Sequence, residues 1–176
     1  MFISGGEQSD LYVVMCKTND KEISCIVVEQ GTKGLSFGKN ENKMGWNCQP
    51  TQLVIFEDCK VPKANLIGKP GDGFKIAMMG LDGGRVNIAS CSLGGAAYGM
   101  DITKDYLSCR KQFKHPLKDF QYLQFKFAEM AIGLQTSRLI TRNAAILMDE
   151  DHVDKTIHSA MAKQFATEKC FDVIFT

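Results

Sequence analysis

Proline is scarce in the second half of this 176-residue chain: beyond Pro70 only Pro116 occurs, so nothing there forbids long helices. Runs of one charge sign are missing as well. With 21 Lys and Arg against 20 Asp and Glu the formal charge is +1, and no stretch of five or six like charges supplies the basic footprint that a phosphate backbone requires. Nucleic acid is therefore not an expected partner. No apolar run is long enough to cross a bilayer, since the most apolar stretch, Ile88 to Met100, is short and rich in Gly, Ala, Ser and Cys. Membrane insertion is not expected either. Among the seven cysteines (Cys16, Cys25, Cys48, Cys59, Cys91, Cys109 and Cys170) there is no CxxC pair, and none has a histidine at ligand spacing. They read as small core residues in a reducing compartment. His115, His152 and His158 fall in or beside loops and helix starts, and no metal site is expected. Met1 leads straight into Phe2-Ile3-Ser4 with no basic or hydrophobic leader, so no targeting segment is read in the chain.

What is present divides in two. Up to about Gly68, short β-branched or aromatic runs (Leu11–Cys16, Ile23–Val28 and Leu53–Phe56) alternate with turn-forming clusters rich in Gly, Asn, Asp and Lys. This pattern predicts a β region over 1–68. Beyond Pro70-Gly71 the apolar residues recur at helical spacing, which predicts three helices over 69–176. The first runs from about Gly73 to Cys109, with Phe74, Met78, Leu81, Ile88, Gly95 and Gly99 near one stripe. The second runs from about Asp119, its expected N-cap, to Glu150. It carries two apolar rows: Leu123, Phe127, Met130 and Leu134, and Phe125, Ala128, Ile132 and Leu139. The third starts near Asp154 and is also two-faced, with Ile157, Met161 and Phe165 on one side and Ala162, Ala166, Cys170 and Val173 on the other. A helix apolar on two faces needs neighbours on both. Phe2-Ile3-Ser4-Gly5 reads as the end of a strand begun earlier, and Phe171–Thr176 as an apolar end without a capping glycine. The expected fold class is thus α+β, an incomplete β domain followed by three helices of an incomplete bundle, part of a longer protein.

Composition and spacing by themselves name no chemistry: no phosphate loop, nucleophile elbow or purposeful carboxylate pair is visible. A collinear series of segments does. Phe2–Gly5, Gly34–Phe37, Lys43–Trp46, Phe56–Cys59 with Val61-Pro62, Asn65–Gly68, Gly71–Phe74, Gly80–Arg85 and Arg110–Phe113 together resemble the acyl-CoA dehydrogenase family. The wording of Ser9–Met15, Ile23–Glu29 and Arg85–Gly94 is closest to members that act on a short branched, isobutyryl-type acyl-CoA in valine catabolism. The resemblance implies the second half of a β-barrel-like middle domain and the first helices of a C-terminal bundle. It also implies FAD as cofactor, an acyl-CoA substrate, a tetramer of identical subunits, an electron-transfer flavoprotein as redox partner and the mitochondrial matrix as location. The implied reaction is α,β-dehydrogenation, in which a carboxylate removes the α-proton and the flavin takes the β-hydride.

Carried over position by position, the resemblance makes Phe2 an aromatic cover and Ser4 a hydroxyl donor for the flavin; the plainer reading is a strand terminus. It places Leu81, Asp82 and Arg85 on one face lining the acyl-CoA channel, with Asp82 and Arg85 as polar contacts to the CoA moiety; the plainer reading is a solvated i,i+3 ion pair. Arg110, Gln112, Phe113 and Gln121 match positions that reach the FAD of a neighbouring subunit, with Arg110 against the pyrophosphate. Gln121 also reads as an ordinary surface residue. Lys114 stands where the family usually has glycine, so the turn that aims these groups is expected to differ. Gly84 stands where some members carry the catalytic glutamate, and no base is expected within the chain. By itself the chain is then expected to be inactive. Two alternatives stay open: a catalytically dead truncated product that only binds CoA or partner subunits, and a relative of the acyl-CoA oxidases.

Overall fold

Alternate burial along Leu11–Lys17 (β2), with Tyr12 inside and Val13 outside, is what a half-buried strand requires. It pairs antiparallel with β3 (Ile23–Glu29), in register from Leu11 opposite Glu29 to Lys17 opposite Ile23. The connection is closed by Asn19, whose side-chain oxygen accepts from the Lys21 and Glu22 amides. A short β7 (Leu66–Ile67) adds to the other edge of β3, while β4 (Leu35–Phe37) pairs with β6 (Val54–Phe56) and β1 (Ile3–Ser4) with β5 (Thr51–Gln52). The strands of this computed structural model, which describes residues 1–176, thus make small separate antiparallel sheets. The barrel-like character implied by the resemblance is not realised as a closed barrel, because strands of two or three residues cannot carry the tilt and stagger that closure demands.

Tyr12, Cys25 and Val28 form the buried apolar centre of this region, with the Tyr12 and Phe37 rings 5.8 Å apart. Two glycines are required by close approach. At Gly34 (φ 92°) an added Cβ would lie 2.2 Å from the Glu57 carbonyl oxygen, and at Gly73 one would lie 2.6 Å from the Ser24 carbonyl carbon.

The chain divides into two compact units, Met1–Met78 and Met79–Thr176. Helix α1 (Gly73–Cys109) runs through that division, followed by a two-stranded hairpin, β8 (Lys111–Gln112) and β9 (His115–Pro116), then α2 (Gln121–Asp149) and α3 (Lys155–Phe175). The two later helices are antiparallel: Asn143 meets His158, and Val173 lies 3.3 Å from where a Cβ on Gly133 would sit. Between them Asp151, at φ 51°, takes the left-handed position of a Schellman ending. Its amide donates to Met148 and that of His152 to Leu147.

The expected inner rows are confirmed for α2 and α3. Met130 and Leu134 pack with Cys170 and Val173, and Phe127 closes on them; Ala162 and Ala166 are fully buried. Small and polar residues extend the seam, with Ser137, Thr141 and Ala144 buried on α2 and Ser159 buried on α3. The second rows are exposed, including Phe125, Ile132 and Leu139 on α2 and Ile157 and Met161 on α3.

Three expectations need correction. On α1 the large stripe of Phe74, Leu81 and Ile88 is exposed, and the buried line is Asp82, Ala89 and Ala96, spaced by sevens. Small residues permit the closer approach, so packing follows them rather than hydrophobic bulk. Asp119 is not the N-cap of α2. Leu117–Asp119 closes a 3₁₀ turn, and Phe120 takes the cap position without a side-chain hydrogen bond. Of the seven cysteines only Cys25 and Cys170 are buried, while Cys48, Cys91 and Cys109 are exposed.

Candidate functional site

The ion pair expected on α1 forms, but it is not solvated. Asp82 is only 7% exposed, and its two carboxylate oxygens go to different partners. Oδ1 accepts from Arg85 Nη1 at 2.7 Å, and Oδ2 accepts from Thr156 Oγ1 at 2.6 Å. Leu81 remains exposed and the Arg85 side chain is 31% exposed. Leu81, Asp82 and Arg85 therefore do not share one outward face. Leu81 and Arg85 look outward, while Asp82 turns inward and anchors Arg85. A guanidinium has five donors, so most of those on Arg85 stay available for an acceptor-rich ligand.

The hairpin after α1 makes its turn without a glycine. Between Gln112 and His115 stand only Phe113 and Lys114, with φ 49° and 70°, the positive pair that a primed two-residue turn demands. The Leu117 amide donates to the Arg110 carbonyl oxygen at 2.9 Å and closes the base of the hairpin. The Phe113 ring is 85% exposed and meets Phe120 edge-on, centroids 6.3 Å apart. Arg110, Gln112 and Gln121 are all exposed. Arg110, Gln112 and Phe113 sit together at this hairpin, and Gln121 begins the helix that follows it.

In the β unit, Phe2 has a positive φ of 54° and is exposed, and Ser4 is exposed on β1. Ser4 lines a cleft of about 360 Å³ with Ile3, Leu11, Val13 and Phe56. The strand is held from behind: Ser4 pairs with Thr51, and the Gly5 amide donates to Pro50 at 2.8 Å. Buried Gln52 accepts the Glu7 amide at 2.8 Å. Glycine at position 6 leaves room for it, since a Cβ there would stand 2.6 Å from the Gln52 oxygen and would have to displace that side chain.

Residues 1–59 match the family model of the acyl-CoA dehydrogenase middle domain and residues 71–175 that of its C-terminal domain. The chain belongs to the acyl-CoA dehydrogenase family. It is 57% identical to the mitochondrial isobutyryl-CoA dehydrogenase of Bos taurus over 175 residues, covering 98% of this chain and 42% of that protein. Among solved structures, butyryl-CoA dehydrogenase from Megasphaera elsdenii superposes with a TM-score of 0.93 at 37% identity, over 98% of this chain and 46% of the other. A chain from a structure titled for the electron transferring flavoprotein of Acidaminococcus fermentans also gives 0.93, at 41% identity and the same two coverages. The chain thus spans less than half the length of each of these relatives.

Two side chains that matter to the site were not legible in advance. Thr156 is 74 residues from Asp82, and no spacing rule connects a threonine in the first turn of one helix with a carboxylate near the start of another. Gln52 sits in a two-residue strand whose glutamine reads as a surface residue. Its burial beside Gly6 could have been suspected only from the glycine.

No group of three or more His, Cys, Asp and Glu is placed to hold a metal ion. No helix is long and apolar enough to cross a membrane.

Proposed function

We propose that this chain supplies substrate and cofactor contacts of an FAD-dependent acyl-CoA dehydrogenase that oxidises a short branched acyl-CoA of the isobutyryl type, as in valine catabolism, to the 2,3-enoyl-CoA. The observation that carries this reading is the 57% identity to the bovine isobutyryl enzyme over nearly the whole chain. In the reading, Arg85 presents its free donors to the phosphate and amide groups of CoA, and the exposed Leu81 beside it borders the acyl channel. Asp82 acts through Arg85 rather than on the ligand, because both its oxygens are engaged.

The donor set fits FAD. Arg110 offers a delocalised cation for a diphosphate, Gln112 and Gln121 offer amides, and Phe113 offers a ring surface that its own unit leaves largely bare. In the β unit Ser4 provides a hydroxyl lining a cleft, and Phe2 provides an exposed aromatic two residues before it. Bound flavin would supply hydride acceptance. The general base is assigned outside these 176 residues. The acidic side chains of α1 are Asp82, Asp101 and Asp105; the first is committed, the other two are surface residues of the helix's C-terminal third, and position 84 is glycine.

The exposed apolar rows of α2 and α3 support packing against further helices or identical subunits in a tetramer. Electron-transfer flavoprotein as acceptor and the mitochondrial matrix as location are supported by the family likeness, and the change from strand-like to helical spacing supports a boundary between the β and helical domains at residues 68 and 69.

The test is calorimetric titration with isobutyryl-CoA and with octanoyl-CoA, repeated for Arg85→Ala. The expected result is tighter binding of the branched thioester and loss of about tenfold in affinity in the variant, the worth of a charge-assisted hydrogen bond. Equal affinities would remove the substrate assignment, and an unaffected variant would remove Arg85.

A further inference from the structure

We propose that Thr156 is a positioning residue for the Arg85 guanidinium, acting through Asp82. The inference rests on the reading of Arg85 as a CoA contact and adds to it the device that fixes the arginine.

A carboxylate as enclosed as that of Asp82 cannot leave an oxygen unsatisfied without a desolvation penalty. Arg85 covers Oδ1 only, through a single nitrogen at 2.7 Å. Oδ2 is covered by the Thr156 hydroxyl at 2.6 Å, the short distance of an O–H donor on an anion. Thr156 is the second residue of α3, so the carboxylate also lies beside the positive end of that helix, where negative charge is favoured. A hydroxyl and a helix terminus thus set the orientation of the Asp82 carboxylate plane, and that plane sets where Arg85 points. Without Thr156 the carboxylate is free to rotate about its terminal torsion, which has no sharp staggered preference, and to take Arg85 bidentately. That rearrangement would draw inward the donors that now remain available outside.

The test compares Thr156→Val, which removes the donor while keeping the branched shape, with Thr156→Ser, which restores it. Two readouts are taken on the full 176-residue chain. One is the Arg85 side-chain Nε–H resonance, assigned by its loss in Arg85→Lys; the other is calorimetric binding of CoA itself. Expected results are a displaced or broadened Arg85 resonance and CoA binding weakened about tenfold in Thr156→Val, both returning in Thr156→Ser, with far-ultraviolet circular dichroism unchanged throughout. An Arg85 resonance identical in Thr156→Val and the unsubstituted chain overturns the proposal, whatever CoA does. So does a Thr156→Val chain that loses helical circular dichroism while Thr156→Ser fails to restore the resonance, since the hydroxyl would then serve only the fold. If the resonance responds as expected but the unsubstituted chain binds no CoA, the positioning of Arg85 stands and its reading as a coenzyme contact falls.

Discussion

The β unit and the helical unit hold together by different means. In the β unit the buried residues include Tyr12, Ser24, Thr51 and Gln52, and polar contacts fix strand positions. Gln52 takes the Glu7 amide, the Ser24 hydroxyl takes the Gly71 amide at 3.1 Å, and the Tyr12 hydroxyl donates at the Gly6 carbonyl, 2.6 Å away. In the helical unit the buried seam is mostly small, with Ala89, Ala96, Ala144, Ala162, Ala166, Ser137 and Ser159 at or near zero exposure, and outside the bond from Thr156 to Asp82 close approach of helices takes the place of specific bonding. The same close packing leaves the larger side chains Phe125, Ile132, Ile157 and Met161 outside. A β unit pinned by hydrogen bonds should fail locally when one is removed. A helical unit pinned by fit should fail as a whole when volume is added.

The sharpest way to break this contrast is Ala166→Leu. The side chain is fully buried, so the added methylenes must push α2 and α3 apart at a cost of about 3 kcal/mol, read as a lowered urea midpoint. A cost near zero would mean that the seam has slack and the contrast is false. Gln52→Ala comes next, because it strands the Glu7 amide. It should cost about 1.5 kcal/mol and raise amide exchange near residues 5–9 while leaving α2 and α3 protected. A smaller effect of opposite sign is expected from Lys114→Gly. The left-handed φ of 70° strains a side-chain-bearing residue, and its relief should stabilise the chain by about 1 kcal/mol, seen as a higher melting temperature.

The thiols give the smallest and most local test. Cys48, Cys91 and Cys109 should react quickly with an aromatic disulfide reagent, while Cys25 and Cys170 should wait for unfolding. Burial pushes the Cys170 thiol up from its ordinary value, with the nearby Ser137 hydroxyl and the charge of Arg138 opposing that rise. The folded chain therefore holds a proton that the unfolded chain releases, and this group's contribution to stability is lost as pH rises above the ordinary thiol range. Urea midpoints measured on either side of that range would show the fall.

Much of the architecture could be read from residue order, for physical reasons that can be named. Strands β2 and β3 were visible because β-branched residues sit between turn clusters, and α1 because proline is absent from Gly73 to Cys109; that the two strands pair was not read in advance. The buried side of α1 was not visible, because a search for bulk picks Leu81 and Ile88 while packing chose Ala89 and Ala96. The β8–β9 hairpin was hidden for a related reason: Phe113-Lys114 lacks the Asn-Gly or Gly-rich signature that usually announces a positive-φ pair. The pairing of Asp82 with Arg85 follows from helical spacing alone, whereas the third partner, Thr156, depends on how α1 and α3 meet. Local chemistry was legible, and chemistry that needs two distant segments was not.

The most direct test of the central claim is to supply the purified 176-residue chain with FAD, isobutyryl-CoA and an electron-accepting dye, following thioester binding and dye reduction together. The account predicts binding without dye reduction, because it assigns thioester contacts to Leu81 and Arg85 and places the general base outside the chain. Measurable dehydrogenation by this chain would contradict it.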